Sequence, residues 1–273
     1  MELKTTEVEV IGNVGVIRLN RPERMNAWTG RMHTEYRWLL QSLEEDKAVR
    51  AIVVTANGRG FCVGADTKAL EGHVAKGGYD AGTKDDIATP GYGVQDEFDA
   101  TFAYHFGLTK PVIAAINGPA AGIGLVLACY ADIRFAVPGV KFTTAHGKLN
   151  LPAEYGLSWL LPRIVGLGIA NDLMFTSRVF MSDEAAQIGL VNRLVEPAEL
   201  VDEAVKYAQQ MVDQVSPNSL MHTKRQMYAD QHRDVASSVV ESEQLLKDMM
   251  KQKDYPEAIA AYLEKRLANW TGE

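Results

Sequence analysis

The sequence predicts an α/β protein whose C-terminal part is helical. Strand-like and helical segments alternate along residues 1–196, whereas residues 197–273 contain only segments with helical periodicity. Apolar residues make up 47% of the 273 residues and charged residues 23%, as is usual in a globular chain with a sizeable core. We therefore expect an α/β core over residues 1–196 and a helical region over residues 197–273.

The composition excludes several classes of protein. A net charge of −7 argues against a nucleic-acid-binding surface. The apolar runs are shorter than the roughly 18–20 residues of a membrane span, and the acidic, polar start does not resemble a signal peptide, so we expect a cytoplasmic protein. The two cysteines, Cys62 and Cys129, fit a reducing compartment as buried residues, and their spacing predicts no metal site.

The first third of the chain gives clear local signals. Glu7–Ile11 and Val14–Leu19 read as a hairpin around the Gly12-Asn13 turn. A helix is predicted from about Thr29 to Glu45 and a buried strand over Ala51–Ala56. Residues 72–94, which are rich in Gly, Asp, Lys and Thr, are predicted to form a mobile loop over a site.

In the second half of the α/β region, strands are expected at Val112–Ile116 and Ile133–Ala136, on either side of a glycine-rich helix from Gly122 to Tyr130. Two helices (Gly156–Val165 and Ile169–Thr176) should be followed by a helix with Ser182 as its N-cap and by a strand over Val191–Val195. The helical region is predicted to contain four helices, over Glu199–Val215, Pro217–Gln231, Val235–Lys251 and Pro256–Asn269.

Two features point to chemistry. Residues 117–124 (NGPAAGIG) form a glycine-rich entrance to a helix, where free N–H groups attract negative charge. Glu154 is a solitary carboxylate in an apolar stretch, Leu151-Pro152-Ala153-Glu154-Tyr155-Gly156. Together they predict a reaction that forms a transient oxyanion and moves a proton, although Glu154 would also suit a helix cap.

Four motifs in the same order and spacing resemble the crotonase (enoyl-CoA hydratase/isomerase) superfamily. They lie at residues 20–27 (NRPERMNA), 60–66 (GFCVGAD), 111–120 (PVIAAINGPA) and 181–195 (MSDEAAQIGLVNRLV). The resemblance implies a ClpP-like spiral of ββα units, a C-terminal trimerisation region over residues 197–273, and an acyl-CoA substrate. A homotrimer or a dimer of trimers is expected, with no cofactor other than the CoA of the substrate.

The resemblance also assigns roles to residues. The backbone N–H groups of Val63 and Ile123 would form the oxyanion hole. The two glutamates of family hydratases correspond to Val126 and His146 here. The chain therefore lacks both carboxylates that the family uses for hydration. Glu154 corresponds to the glutamate of family Δ3,Δ2-enoyl-CoA isomerases, and burial in an apolar pocket should raise its pKa. His146 is a second catalytic candidate or a polar loop residue.

Further roles follow from the resemblance in the same way. The expected CoA-binding residues are Arg24, Met25, Ala27, Ala65, Asp66 and Lys68. The acyl channel is expected to involve Met25, Trp28, Trp159 and Leu160, although such residues commonly belong to a core. In a trimer, Lys224 and Arg225 are expected to reach the CoA of a neighbouring subunit, and Asp132 is predicted to be a structural partner of the backbone.

These observations favour an enoyl-CoA isomerase with Glu154 as its acid/base. An enoyl-CoA hydratase is the nearest alternative. A non-catalytic acyl-CoA binder would explain the missing carboxylates at positions 126 and 146, and a hydrolase or ring-cleaving enzyme would use His146 together with Glu154.

Overall fold

The structure is a computed structural model that describes residues 1–76, 98 and 100–273. In this part of the chain the strands are β1 (Thr6–Ile11), β2 (Val14–Leu19), β3 (Ala51–Ala56), β4 (Val112–Ile116), β5 (Ala120–Ala121), β6 (Ile133–Ala136), β7 (Lys141–Thr143), β8 (Phe180–Met181) and β9 (Arg193–Leu194). They form a six-stranded sheet in the order β1-β2-β3-β4-β6-β9 and a three-stranded sheet in the order β5-β7-β8.

The helices of the described residues are α1 (Gly30–Glu45), α2 (Thr67–Lys76), α3 (Tyr104–Gly107), α4 (Ile123–Tyr130), α5 (Leu157–Val165), α6 (Leu167–Thr176), α7 (Ser182–Gln187), α8 (Leu200–Gln214), α9 (Pro217–Ala229), α10 (Val235–Met249) and α11 (Asp254–Glu264). In these ranges no helix combines the length and the apolar character that crossing a bilayer requires. The predicted alternation of strands and helices, followed by helices alone, is confirmed.

The larger sheet places the predicted strands side by side. The hairpin is confirmed, with β1 antiparallel to β2 and Ile11 paired with Val14 across the turn. The remaining neighbours, from β2 to β9, run parallel. Every residue of β3 and β4 is buried, as expected for central strands covered on both faces.

Each face of this sheet has its own core. Ile17, Leu19 and Val54 belong to a large cluster that includes α1 and α4. Val14, Val16 and Val53 point to the other face, where the apolar side of α8 covers them. The side chain of Gln209 on α8 also accepts a hydrogen bond from the N–H of Asn13 in the hairpin turn (3.0 Å).

Several local predictions are wrong in detail. Met181, not Ser182, precedes the first turn of α7, and the Ser182 hydroxyl accepts a hydrogen bond from the N–H of Val140 instead. The strand predicted over Val191–Val195 is only Arg193–Leu194. Of the loop predicted over 72–94, residues 72–76 are helical, and residues 77–94 lie outside the described residues.

Helix α9 is attached to the core by a buried ion pair. The Lys224 ammonium lies 2.9 Å from a carboxylate oxygen of Asp132 and donates to the carbonyl of Lys110. Asp132 also accepts hydrogen bonds from the N–H of Val112 (2.6 Å) and the hydroxyl of Tyr228 (2.6 Å). Asp132 is therefore the structural partner that was predicted. Lys224 is buried in this network, so the prediction that it reaches a neighbouring subunit's CoA is wrong.

Replacing Lys224 with methionine is expected to lower the free energy of unfolding by about 3 kcal/mol, because it leaves a shielded carboxylate without its counter-charge. Urea denaturation followed by circular dichroism measures the change. Arg225→Met, at the exposed neighbouring position, is the matched control and should change stability by less than about 0.5 kcal/mol. Equal stability of the two variants would contradict the structural role of the pair.

A cluster of aromatic rings encloses His105, which is buried, and contacts His33, which is half-buried. His105 Nδ1 lies 2.6 Å from the carbonyl oxygen of Phe102, and its Nε2 lies 2.7 Å from the Tyr36 hydroxyl. Because a carbonyl only accepts, Nδ1 carries the proton and Nε2 accepts from Tyr36. Burial lowers the pKa of His105 to about 4. The pKa of His33 is also lowered to about 4, mainly by burial and to a smaller extent by the positive charge of Arg37.

Stability is therefore expected to fall on acidification. The two histidines titrate near 6.5 in the unfolded chain and near 4 in the folded chain, so between these values the unfolded chain binds more protons. The stabilisation is complete above pH 6.5 and is lost as the pH falls towards 4, by up to about 3 kcal/mol for each histidine. Urea midpoints between pH 5 and 7 test this, and a midpoint independent of pH would contradict it.

Candidate functional site

Two glycines shape the start of helix α4. Gly122 has φ +49° and ψ −119°, a conformation that side chains forbid, and it turns the chain from β5 into the helix. A Cβ on Gly124 would lie 2.8 Å from the carbonyl carbon of Cys62 and closer still to its oxygen. Glycine at position 124 thus lets α4 sit directly against the segment that contains Cys62.

This close approach brings the predicted oxyanion donors onto adjacent segments. Cys62 bridges to Ala120, and its carbonyl accepts the N–H of Ala121 (3.0 Å). Ile123 is the first residue of α4, where an N–H has no acceptor within the helix. Within the described residues the N–H of Val63 also makes no backbone hydrogen bond. Both amides therefore retain their capacity to donate to a bound anion.

Glu154 begins the 3₁₀ turn Glu154–Gly156, just before α5, and is half-buried. The residue immediately before α5 is Gly156, which has no side chain, so any stabilisation of this helix by Glu154 would come from its charge alone. The turn is held by the Tyr130 hydroxyl at the end of α4, which donates to the carbonyl of Tyr155 (2.7 Å). Burial raises the pKa of Glu154, as expected from the sequence, and the charge of His146 opposes this shift only in part.

The two positions that carry glutamates in family hydratases are occupied here by an apolar residue, Val126, and by a histidine, His146. Val126 is buried within α4. His146 begins the 3₁₀ turn His146–Leu149 and is buried, and its Nδ1 has no hydrogen-bond partner among the described residues. The preceding Ala145 has φ +61°, an unusual conformation for alanine. His146 is therefore an inward-facing group near Glu154, not an exposed loop residue.

A second group of predicted residues gathers around an open cavity of about 510 Å³, lined by Arg21, Glu23, Arg24, Thr29, Asp66 and Lys68. Asp66 is buried and lies 3.0 Å from the Arg21 guanidinium and 3.6 Å from that of Arg24. Burial by itself raises the pKa of Asp66, but hydrogen bonds from the Lys68 N–H and Arg21 outweigh it and hold that pKa below its usual value.

The loop before α1 pairs with the segment that follows Val63. The N–H of Trp28 donates to the carbonyl of Gly64 (2.7 Å), and Trp28 and Ala65 form a parallel bridge. Ala27 is buried in this loop, and its carbonyl accepts from Arg21. Met25, at φ +51°, is half-buried. The predicted CoA-binding residues therefore lie on two paired segments.

Sequence reasoning missed Arg21 and Asn26. The buried Asn26 side chain accepts from the N–H of Arg21 and donates to the carbonyls of Asn57 and Gly60 (2.8 Å each). Both residues stand in the motif at positions 20–27, which was their only signal. Of the residues expected along the acyl channel, Leu160 is buried in the large core. Trp159 lines a second cavity, which is distinct from the one at Arg21.

Comparisons with known proteins agree with this architecture. Residues 9–273 match the sequence profile of the family described as enoyl-CoA hydratase/isomerase. A short-chain-enoyl-CoA hydratase of Clostridium acetobutylicum is 30% identical over 97% of both chains. A 1,2-epoxyphenylacetyl-CoA isomerase of Escherichia coli is 30% identical over 100% of both chains.

Solved structures extend the agreement to the fold. The crystal structure of an enoyl-CoA hydratase from Bacillus anthracis superposes with a TM-score of 0.86 at 26% identity, covering 99% of this chain and 100% of the other. The predicted crotonase fold, an α/β spiral with a helical C-terminal region, is thereby confirmed. The chain belongs to the enoyl-CoA hydratase/isomerase family of the crotonase superfamily.

Proposed function

We propose that this enzyme moves a carbon–carbon double bond in an enoyl-CoA thioester from Δ3 to Δ2, with Glu154 as its acid/base. The observation that carries the proposal is a half-buried carboxylate of raised pKa at position 154, combined with valine at 126 and histidine at 146. One carboxylate suffices for a proton shuttle, whereas the family's hydration chemistry uses two.

In this mechanism the Glu154 carboxylate removes a proton from C2 of the substrate. The electron pair of the broken C–H bond spreads over the dienolate and places negative charge on the thioester oxygen. The N–H groups of Val63 and Ile123 donate to that oxygen, an interaction worth roughly 3–4 kcal/mol for each donor in other enzymes. Protonated Glu154 then returns its proton to C4, which leaves the double bond between C2 and C3.

The raised pKa of Glu154 supports this role, because the same group must accept a proton and then return it. His146 is proposed as a second catalytic group that contacts the substrate through its unpartnered Nδ1. The CoA thioester itself serves as the electron sink, so the chemistry needs no further cofactor or metal ion.

We propose that the cavity at Arg21 binds the CoA nucleotide. Arg21, Arg24 and Lys68 supply positive charge for its phosphates, and Asp66 orients the two arginines. The paired segments that contain Met25, Ala27 and Ala65 would bind the adenine through their backbone.

The helical region 197–273 is proposed to assemble the chain into a homotrimer or a dimer of trimers. Large apolar side chains are exposed on its last helices, including Val235, Val240, Leu246, Tyr262 and Leu263. Such a surface usually marks an interface between proteins. Light scattering coupled to size-exclusion chromatography tests the proposal, and a monomer at micromolar concentration would overturn it.

Hydration is the second candidate, favoured by the Clostridium acetobutylicum relative, which is named as a hydratase. Incubation with a Δ3-enoyl-CoA and, separately, with a Δ2-enoyl-CoA distinguishes the candidates by their products. The proposal predicts interconversion of the two substrates. Formation of 3-hydroxyacyl-CoA as the main product would instead establish a hydratase, and release of free CoA thiol a hydrolase. Acyl-CoA binding without any product would identify a non-catalytic binder.

A further inference from the structure

We propose that the acyl group of the substrate is an uncharged aromatic one, held in a cavity beside the Glu154 turn. This inference rests on the proposed function, since it assumes that the protein binds an acyl-CoA thioester. The cavity has a volume of about 390 Å³ and lies between α3, α4 and α5. Tyr155 and Gly156, the two residues after Glu154, form part of its wall.

Aromatic side chains dominate the wall of this aryl cavity. Six of its lining residues carry rings, namely Phe98, Phe106, Tyr130, Tyr155, Trp159 and His232. Most of the remaining lining comes from small residues, which leave the space between the rings open. Aromatic pairs in offset or edge-to-face contact contribute about 0.5–1.5 kcal/mol beyond the burial of area. A flat ring would thus gain more from this wall than an alkyl chain of similar volume.

The rings are fixed before any ligand arrives. Phe106 stacks on Tyr228 with 3.8 Å between ring centroids, and Trp159 stacks on His232 at 5.5 Å. The hydroxyl of Tyr130 is held by its bond to the Tyr155 carbonyl, and a Cβ on Gly156 would lie 2.8 Å from that hydroxyl oxygen. Binding therefore costs little side-chain entropy, which favours a rigid ligand that matches the wall.

Size and charge narrow the ligand class further. A cavity of about 150 Å³ holds benzene in another protein, so 390 Å³ accommodates a substituted phenyl or a two-ring group. None of the residues that line this cavity is an acid, a lysine or an arginine, and the guanidinium of Arg163, which is not part of the lining, lies 4.0 Å from the centroid of the Trp159 ring. A second carboxylate on the acyl group would find no lysine or arginine in the lining itself, which disfavours dicarboxylic acyl groups.

The experiment measures binding of unreactive CoA thioesters by isothermal titration calorimetry, with the full-length protein. Phenylacetyl-CoA is expected to bind at least tenfold more tightly than hexanoyl-CoA, an aliphatic ligand of similar size, and far more tightly than succinyl-CoA. Trp159→Leu and Phe98→Leu should each remove most of this preference while leaving the affinity for acetyl-CoA unchanged. Phe175→Leu, at an exposed phenylalanine outside the cavity, is the matched control.

The outcomes separate the two proposals. If acetyl-CoA and hexanoyl-CoA bind but phenylacetyl-CoA binds no more tightly than hexanoyl-CoA, the aromatic assignment fails and the proposed function stands. If no thioester binds, the proposed function itself fails. Retention of the full preference for phenylacetyl-CoA in both leucine variants would also overturn the assignment of this cavity. Two variants are used so that the test can still be carried out with one of them if the other folds poorly.

Discussion

Glu154→Gln is expected to lower kcat for the double-bond shift by about 10³-fold, with little change in KM. Glutamine keeps the shape of the side chain and its place in the turn, but it cannot accept the C2 proton. Positioned acid–base groups contribute about 10²–10⁴-fold in other enzymes, and in the proposed mechanism Glu154 acts in both proton transfers. Initial rates with a Δ3-enoyl-CoA measure the effect. Glu196→Gln, at an exposed glutamate, is the matched control and should retain full activity.

The pH dependence provides an independent check of the same residue. Since burial raises the pKa of Glu154, kcat/KM should fall on acidification at a pH above the range of an exposed glutamate. Exchange of the C2 hydrogen with deuterium from D₂O should be lost in Glu154→Gln and kept in the control. Parental rates in Glu154→Gln would show that another group is the base.

Gly124→Ala is expected to lower kcat by 10²-fold or more. The new methyl would overlap the backbone of Cys62, so α4 and the Cys62–Gly64 segment must separate. The proposed convergence of the Val63 and Ile123 N–H groups on one oxygen would then be lost, and loss of a single such donor costs about 10²–10³-fold elsewhere. The overpacking should also lower the free energy of unfolding by about 1–3 kcal/mol.

Gly168→Ala is the matched control for this variant, because its Cβ would meet no atom within 4 Å. It lies within α6 and should retain activity, with stability equal to or slightly above the parent. Steady-state kinetics and urea denaturation of both variants measure the difference. A folded Gly124→Ala protein with parental kcat would contradict the role assigned to the two amides.

Local patterns were sufficient to predict most of the framework. Short, mostly apolar runs predicted the strands Ala51–Ala56, Val112–Ile116 and Ile133–Ala136 with their observed bounds. The Gly12-Asn13 turn gave the hairpin. The glycine-rich segment indicated the start of α4, and the apolar surroundings of Glu154 indicated the direction of its pKa shift.

Features that depend on distant partners were missed. Strand β5 has two residues, too few to show a periodicity of its own, and it is defined by its pairing with β7, some twenty residues later. Lys224 resembled an exposed helix residue because its partner Asp132 is 92 residues away. The last helix ends at Glu264 because Lys265 adopts φ +56°, whereas apolar residues beyond it continued the helical pattern.

The position of helix α8 has a consequence for how the protein is made. Its apolar side covers the valine-rich face of the central sheet, yet its residues follow the last sheet strand in the chain. Until residues 200–214 have emerged from the ribosome, the valine-rich face of the nascent sheet is exposed to water and is prone to aggregate. Chaperone demand during synthesis should therefore drop sharply once this helix has emerged.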